Sequence, residues 1–248
     1  MELDEHCLAF LEETSFYKTQ PSECPYLESK QETKILTWLS GNNVEKLHST
    51  LVEMGFRRSQ TAIYKPHCAN CSACVPLRLD VRQVNLNKTQ RKIWRLNDHI
   101  HRKISSPILS DSHFELYQKY MDFRHKGESM SQMSYRDVAM MVEETTVDTS
   151  LTEYYEETPT GDKLVGWCIT DCLDHGLSMV YSIFDPDNHS LSPGIFAILD
   201  HIELAKELSS PYLYLGYWIE GSQKMAYKNQ FYPHEIYQKG QWITVKKR

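Results

Sequence analysis

The sequence predicts an α+β fold: a mixed sheet with flanking helices in the C-terminal half, joined to a smaller N-terminal α/β region that carries a cysteine-rich loop. Three observations lead there. Between residues 148 and 218, short alternating segments and one helical stretch follow in the order strand, strand, strand, helix, strand. Hydrophobic residues make up 41% of the 248-residue chain and charged residues 24%, a globular composition. Three of the seven cysteines stand at C-x2-C-x2-C spacing, as Cys68, Cys71 and Cys74.

Taken in order, residues 1–16 place Leu8, Leu11 and Phe16 at helical spacing among acids, and Pro21 ends that stretch. Residues 31–39 and 43–54 read as helices split by the turn signal Gly41-Asn42-Asn43. Residues 55–64 and 75–81 read as strands, and 90–103 as a basic helix ending near Ser105-Ser106-Pro107. A domain boundary is expected there, giving an N-terminal region of residues 1–105 and a second domain of residues 106–248. In the second part, 112–126 and 134–143 read as helices. Residues 148–156, 163–172 and 177–184 read as strands joined by hairpin turns at Gly161-Asp162 and His175-Gly176. Ser192-Pro193-Gly194 opens a helix over 195–208, because proline suits a first helical turn. Residues 212–218 form a strand, 225–230 a short helix, and 235–245 the last segment.

No run approaches the roughly 18 apolar residues of a membrane span. The N-terminal stretch is acidic, without the basic start of a secretory signal. The expected address is therefore the cytoplasm, with no membrane partner. An odd number of clustered thiols argues against a disulfide framework. Cys68, Cys71 and Cys74, with Cys24 as a fourth ligand, can hold zinc or an iron–sulfur cluster. His67 is an alternative ligand, and Cys168 and Cys172 read as core.

The net charge of −6 is unevenly spread. Residues 1–56 hold ten acids against four Lys/Arg, whereas residues 57–103 hold eleven Lys/Arg against two acids. Such asymmetry suits anion binding on an otherwise acidic protein. Lys88, Arg91, Lys92 and Arg95 share a helical side or its margins, a surface suited to a phosphate backbone. Trp94 reads as core or as a stacking surface. The aromatic run at Tyr212–Trp218, followed by Lys224, Tyr227 and Lys228, suits the terminal adenosine and phosphates of an RNA end. Tyr217 and Trp218 are its candidate contacts.

The strand and helix order of the C-terminal half matches the GNAT-type acyltransferase core, where the helix after the central strand offers free N–H groups to a phosphate. Six blocks then carry a closer resemblance. They are CPYL at Cys24, FRRSQTAIYKPHCANCSACVPLRLDV from Phe56, QRKIWRLN from Gln90, YMDFRHKGESM from Tyr120, LSMVYSIFDPDNHSL from Leu177 and YLYLGYWIEGSQKMAYKNQFYPHE from Tyr212. In this order they resemble the N-end rule aminoacyl-tRNA–protein transferases. Chain length points to the bacterial branch, the aspartate/glutamate leucyltransferases, rather than the longer eukaryotic arginyltransferases. The resemblance implies a GNAT-like fold and a charged tRNA, leucyl-tRNA in that branch, as donor. It implies proteins beginning with Asp or Glu as acceptors.

That reaction is the aminolysis of an activated ester and needs no cofactor. Tyr181 and Asp185, at a strand end beside the helix start, are the candidate catalytic groups for the proton of the attacking amine. The acceptor carboxylate calls for an arginine fork, with Arg78 as first choice and Arg124 as second. Rival readings are an arginyl-tRNA transferase, an acyl-CoA N-acetyltransferase, and a non-catalytic zinc-bearing RNA-binding module.

Overall fold

The computed structural model describes residues 14–124, 127, 129–222, 225 and 227–247. The helix expected over residues 1–16 lies almost wholly outside them. The N-terminal region forms a four-stranded antiparallel sheet of order β1-β4-β6-β5. Its strands are β1 (Tyr17–Lys18), β4 (Lys34–Trp38), β5 (Arg57–Ser59) and β6 (Ala62–Pro66), and a two-stranded ribbon pairs β2 (Ser22–Glu23) with β3 (Gln31–Glu32). Helix α1 (Val44–Glu53) packs Leu47, Leu51 and Val52 with Leu39, Phe56 and Ile63 in a core that Val147 and Tyr214 also join.

The helix expected over residues 31–39 is not formed: β3 and β4 occupy that stretch. Ile35, Thr37 and Trp38 are β-formers, and five residues of β4 pair in register with β6, from Lys34↔Pro66 to Trp38↔Ala62. Tertiary pairing decides what periodicity leaves ambiguous in a short segment.

The larger unit is an eight-stranded mixed sheet of order β14-β13-β7-β12-β11-β10-β9-β8. It comprises β7 (Cys74–Asp80), β8 (Ile100–Ser105), β9 (Thr149–Thr158), β10 (Gly161–Leu173), β11 (Gly176–Phe184), β12 (Tyr212–Ile219), β13 (His234–Gln238) and β14 (Gln241–Val245). Strands from both sides of residue 105 share this sheet, with β7 inside it and β8 on its edge. On one face lie α2 (Lys88–Leu96) and α5 (Pro193–Glu207), and on the other α3 (Asp111–Arg124) and α4 (Tyr135–Glu143). The alternation of β10 serves both cores: Cys168 faces α5, whereas Trp167 and Ile169 face α3 and α4.

The basic helix is shorter than expected. Asn97 ends it, donating its side-chain amide to Ile93 O at 2.9 Å and Leu191 O at 3.0 Å. Residues 100–105 then pair with β9. A 3-10 turn at Lys228–Gln230 replaces the helix expected over 225–230, and residues 235–245 fall within a hairpin of β13 and β14.

The two units are tied together by a buried ion pair. Arg58 on β5 grips Asp171 of β10 with two parallel bonds, Nε to Oδ2 at 2.7 Å and Nη2 to Oδ1 at 2.6 Å. Thr149 donates to the same carboxylate at 2.9 Å. Burial pushes the neighbouring His48 imidazole down to about 4, so it stands neutral beside that pair.

Candidate active site

The sheet opens at its centre. Strands β11 and β12 are parallel neighbours over Gly176↔Tyr212, Leu177↔Leu213 and Ser178↔Tyr214, and there the ladder stops. Each strand also carries an irregularity at that point. The β10–β11 register shifts between Ile169 and Thr170, opposite Tyr181 and Met179. The β12–β7 register shifts between Tyr214 and Tyr217. Bulges raise local twist and terminate pairing, so the two strands diverge and leave a cavity of about 350 Å³.

One part of its wall is apolar, with Met121, Met130, Met179, Ile198 and Leu215. Another is phenolic and cationic, with Tyr26, Tyr64, Tyr181 and Tyr217 beside Arg57. Arg124 lines the cavity near Tyr120 and Tyr227. Gly194, in the first turn of α5, reaches it too, so the helix start expected to face a phosphate does border this space.

The opened edges expose backbone carbonyls, and cations satisfy several of them. Lys228 is buried and donates from Nζ to Leu215 O at 2.8 Å and to Tyr217 O at 3.3 Å. Burial, reinforced by Arg57, pushes its ammonium down to about 7. Arg57 donates from Nη2 to Val180 O. Tyr217 is buried and donates its hydroxyl to Gly55 O at 3.0 Å, which pins β12 to the N-terminal unit.

The other expected site residues divide clearly. Tyr181 lines the cavity; Asp185 is absent from its lining and is 1% exposed. Lys119 and Lys163 reach Asp185 at 2.6 and 2.9 Å, and Asp187 N donates to it at 3.0 Å. Burial pushes this carboxyl up, but the lysine bonds outweigh it and hold the group below the usual carboxylate range. A carboxylate so stabilised is a weak base, and its geometry is that of a cap on the 3-10 turn Pro186–Leu191.

Arg78 is also engaged, contrary to its expected role as carboxylate receptor. It bonds Glu235 at 2.7 Å, Glu53 at 3.3 Å and the Tyr214 hydroxyl at 3.1 Å. Its guanidinium lies 3.7 Å from the ring centre of Tyr212 and 4.3 Å from that of Trp242. Edges and faces are both occupied, so this cation holds β7, β12, β13 and α1 together. Trp218 packs against the core on the α5 side instead of lining the cavity. Lys224 lies outside the described residues.

Lys88, Arg91, Lys92 and Arg95 are exposed on α2, which buries Gln90 and Ile93. Among the described residues none of the four makes an ion pair, and Arg91 donates to Leu86 O. Trp94 is 37% exposed, with its ring 5.8 Å from that of Phe196, so it is half core and half surface.

Cys24, Cys68, Cys71 and Cys74 line a single cavity of about 500 Å³ between the ribbon and β7. Burial, then the proximity of Cys24, Cys68 and Cys71, pushes the Cys74 thiol up to about 12. Among the described residues, no three His, Cys, Asp or Glu side chains are arranged closely enough to hold one ion. Cys168 is fully buried in the core, as expected.

Sequence reasoning counted Arg57 among the basic residues but did not single it out. The signal was in the chain: consecutive arginines on a strand face opposite ways, so Arg57 and Arg58 cannot serve one partner.

Two family profiles match the chain. Residues 22–92 match that described as Arginine-tRNA-protein transferase, N terminus, and residues 112–238 match its C terminus. The fold and cavity therefore belong to an aminoacyltransferase, an aminoacyl-tRNA–protein transferase. The aspartate/glutamate leucyltransferase of Cereibacter sphaeroides is 44% identical over 232 residues, 93% of this chain and 83% of the relative. That of Ruegeria pomeroyi is 44% identical over 230 residues, 93% of this chain and 84% of the relative. The chain belongs to the arginine-tRNA–protein transferase family, alongside these leucyltransferases. Among solved structures, the L-PGS of Bacillus licheniformis is 9% identical with a TM-score of 0.45, over 76% of this chain and 55% of that one. A likeness of that size assigns nothing.

Proposed function

We propose that the chain transfers leucine from leucyl-tRNA to the N-terminal α-amine of proteins beginning with Asp or Glu, marking them for N-end rule degradation. The observation that carries this reading is 44% identity, over nearly the whole chain, to enzymes named aspartate/glutamate leucyltransferase. The cavity supports it: an apolar wall suits a leucyl side chain, and a cationic, phenolic wall suits an acidic acceptor. Three strands, a helix and a strand opened from its parallel neighbour also support a GNAT-like acyltransferase core.

In the proposed reaction the acceptor amine nitrogen attacks the ester carbonyl carbon of leucyl-tRNA. A carbon–nitrogen bond forms, the carbon–oxygen bond to the ribose breaks, and the ribose oxygen leaves with a proton taken from the amine. An α-amine with a pKa of about 8 is roughly one-tenth neutral at pH 7. Holding both substrates in one cavity supplies much of the acceleration, on the order of 7–11 kcal/mol. Backbone N–H groups of the opened strand edges suit the developing oxyanion. The Tyr181 hydroxyl is the proposed proton carrier; the bonds that lock Asp185 favour a capping role for it.

No cofactor enters this chemistry. Cys24, Cys68, Cys71 and Cys74 remain the proposed ligands of a structural zinc ion or iron–sulfur cluster, supported by their shared cavity, and binding would require the thiols to draw together. The four exposed cations of α2 suit the tRNA backbone. The proposed setting is the cytoplasm; no described helix is long and apolar enough to cross a membrane.

Labelled leucyl-, arginyl- and phenylalanyl-tRNA offered with peptides starting in Asp, Glu or Ala test the reading. Leucine on the Asp and Glu peptides alone is expected. Transfer of arginine in place of leucine, or transfer to the Ala peptide at an equal rate, would overturn it.

A further inference from the structure

We infer that Arg57 is the residue that reads the acidic side chain of the acceptor. The inference rests on the proposed leucyl transfer and assigns a specificity residue within it.

Arg57 and Arg58 are neighbours on β5, and the strand turns them to opposite faces. Arg58 goes to Asp171 in a bidentate pair. Arg57 goes to the cavity between β11 and β12. There its guanidinium donates to Val180 O, and among the described residues Arg57 has no ion pair and no second hydrogen bond. A guanidinium carries five donors and keeps its charge at any working pH. A half-buried guanidinium with no carboxylate among the described residues keeps donors free for a ligand. Here the opening beside it is a substrate-sized cavity.

The backbone is shaped to admit this side chain. Gly216 lies in the bulge of β12 with φ of +71°, and a Cβ there would collide with the Arg57 guanidinium. A positive φ is easy for glycine alone. The place of the bulge, its glycine and the reach of Arg57 therefore agree. Tyr26, Tyr64, Tyr181 and Tyr217 surround the cation, with the Tyr181 ring centre 6.0 Å away. Neutral phenols stabilise a cation without neutralising it and leave its fork for a carboxylate.

Position favours Arg57 over Arg124. Arg57 sits where the β11–β12 ladder stops, at the edge proposed to hold the ester. The carboxylate of an N-terminal Asp or Glu is only two or three carbons from the attacking amine. Its receptor must therefore lie beside the reacting carbonyl.

The test compares initial rates of leucine transfer to Asp- and Asn-starting peptides by wild type, Arg57→Met, Arg57→Lys and Arg124→Met. Arg57→Met is expected to lower kcat/KM for the Asp peptide by roughly 10–100-fold. The Asn rate should fall less than the Asp rate, so that the Asp/Asn preference collapses. Arg57→Lys should restore part of it, because charge returns without the fork. The loss should appear in the Asp/Asn ratio and not chiefly in the KM for leucyl-tRNA. A damaged fold would lower both peptides together and keep their ratio. An unchanged ratio in a folded Arg57→Met enzyme, a raised leucyl-tRNA KM with the ratio intact, or a collapse confined to Arg124→Met would each overturn the assignment.

Arg57 can also be followed without altering it. Its side-chain ¹⁵Nε resonance, assigned by its absence from the Arg57→Lys spectrum, should shift in wild-type protein on adding an Asp-Ala dipeptide and stay still with Asn-Ala. This holds even if the donor is not leucyl-tRNA, so failure of the donor reading and failure of the Arg57 assignment give different results. A resonance indifferent to Asp-Ala at saturating peptide would overturn the assignment.

Discussion

Two regions along β12 treat an arginine in opposite ways. At its start, Arg78 has Glu53, Glu235 and the Tyr214 hydroxyl on its edges and Tyr212 and Trp242 on its faces. At Gly216, Arg57 has phenols, one carbonyl and an open cavity. Both come from the same basic segment of residues 57–103. A cation whose fork is filled from within stabilises the fold. One whose fork faces a cavity is available to a substrate. The distinction lies in the partners, and Glu235 joins Arg78 from 157 residues away.

The largest effect expected from this contrast is on stability. Arg78→Ala removes one partner from a mostly buried cluster and leaves Glu53 and Glu235 facing each other. It should cost about 3 kcal/mol or more in urea unfolding, while the enzyme that remains folded keeps its Asp/Asn preference. An unchanged unfolding midpoint, or a lost preference at full stability, would break the contrast.

A middling effect sharpens it from outside the cavity. Replacing Lys88, Arg91, Lys92 and Arg95 together with Ala should weaken charged-tRNA binding. The slope of log affinity against log salt should fall by about 0.7–0.9 for each lost phosphate contact. Stability should stay within about 0.5 kcal/mol, because none of the four is paired among the described residues. Equal slopes for mutant and wild type would make this face a solvated surface.

The smallest effect concerns Asp185. Its folded carboxyl titrates below its unfolded value of about 3.9. The unfolded chain therefore takes up the proton first as pH falls, and the stability that Asp185 contributes is present above pH 4 and lost below it. Asp185→Asn should be about 1 kcal/mol less stable than wild type at pH 7, and that difference should shrink as pH falls below about 4. A difference constant from pH 7 to pH 3 would remove the lysine cap from the account.

The strands and helices of residues 106–222 were largely legible in the sequence, because their alternation is long and their turns carry Gly, Pro and Asp. Residues 31–39 were not, since a five-residue strand and a helical turn share one apolar pattern and only the pairing with β6 separates them. Within the site, Tyr181, Arg124, Tyr217, Tyr227 and Lys228 were expected and do line the cavity. Arg78 and Asp185 were expected there too, but each is engaged by side chains remote in sequence. Arg57 was only half legible: adjacent arginines on a strand must face opposite ways, but which of the two meets a carboxylate is decided by Asp171, 113 residues beyond Arg58.

The most direct test is a crystal structure with a non-hydrolysable leucyl-adenosine amide and an Asp-starting dipeptide bound together. The leucyl side chain is expected against Met179, Ile198 and Leu215. The Asp carboxylate is expected within about 3 Å of the Arg57 guanidinium, between the diverging ends of β11 and β12. An Asp carboxylate held by another cation, or both ligands bound outside that opening, would contradict the account.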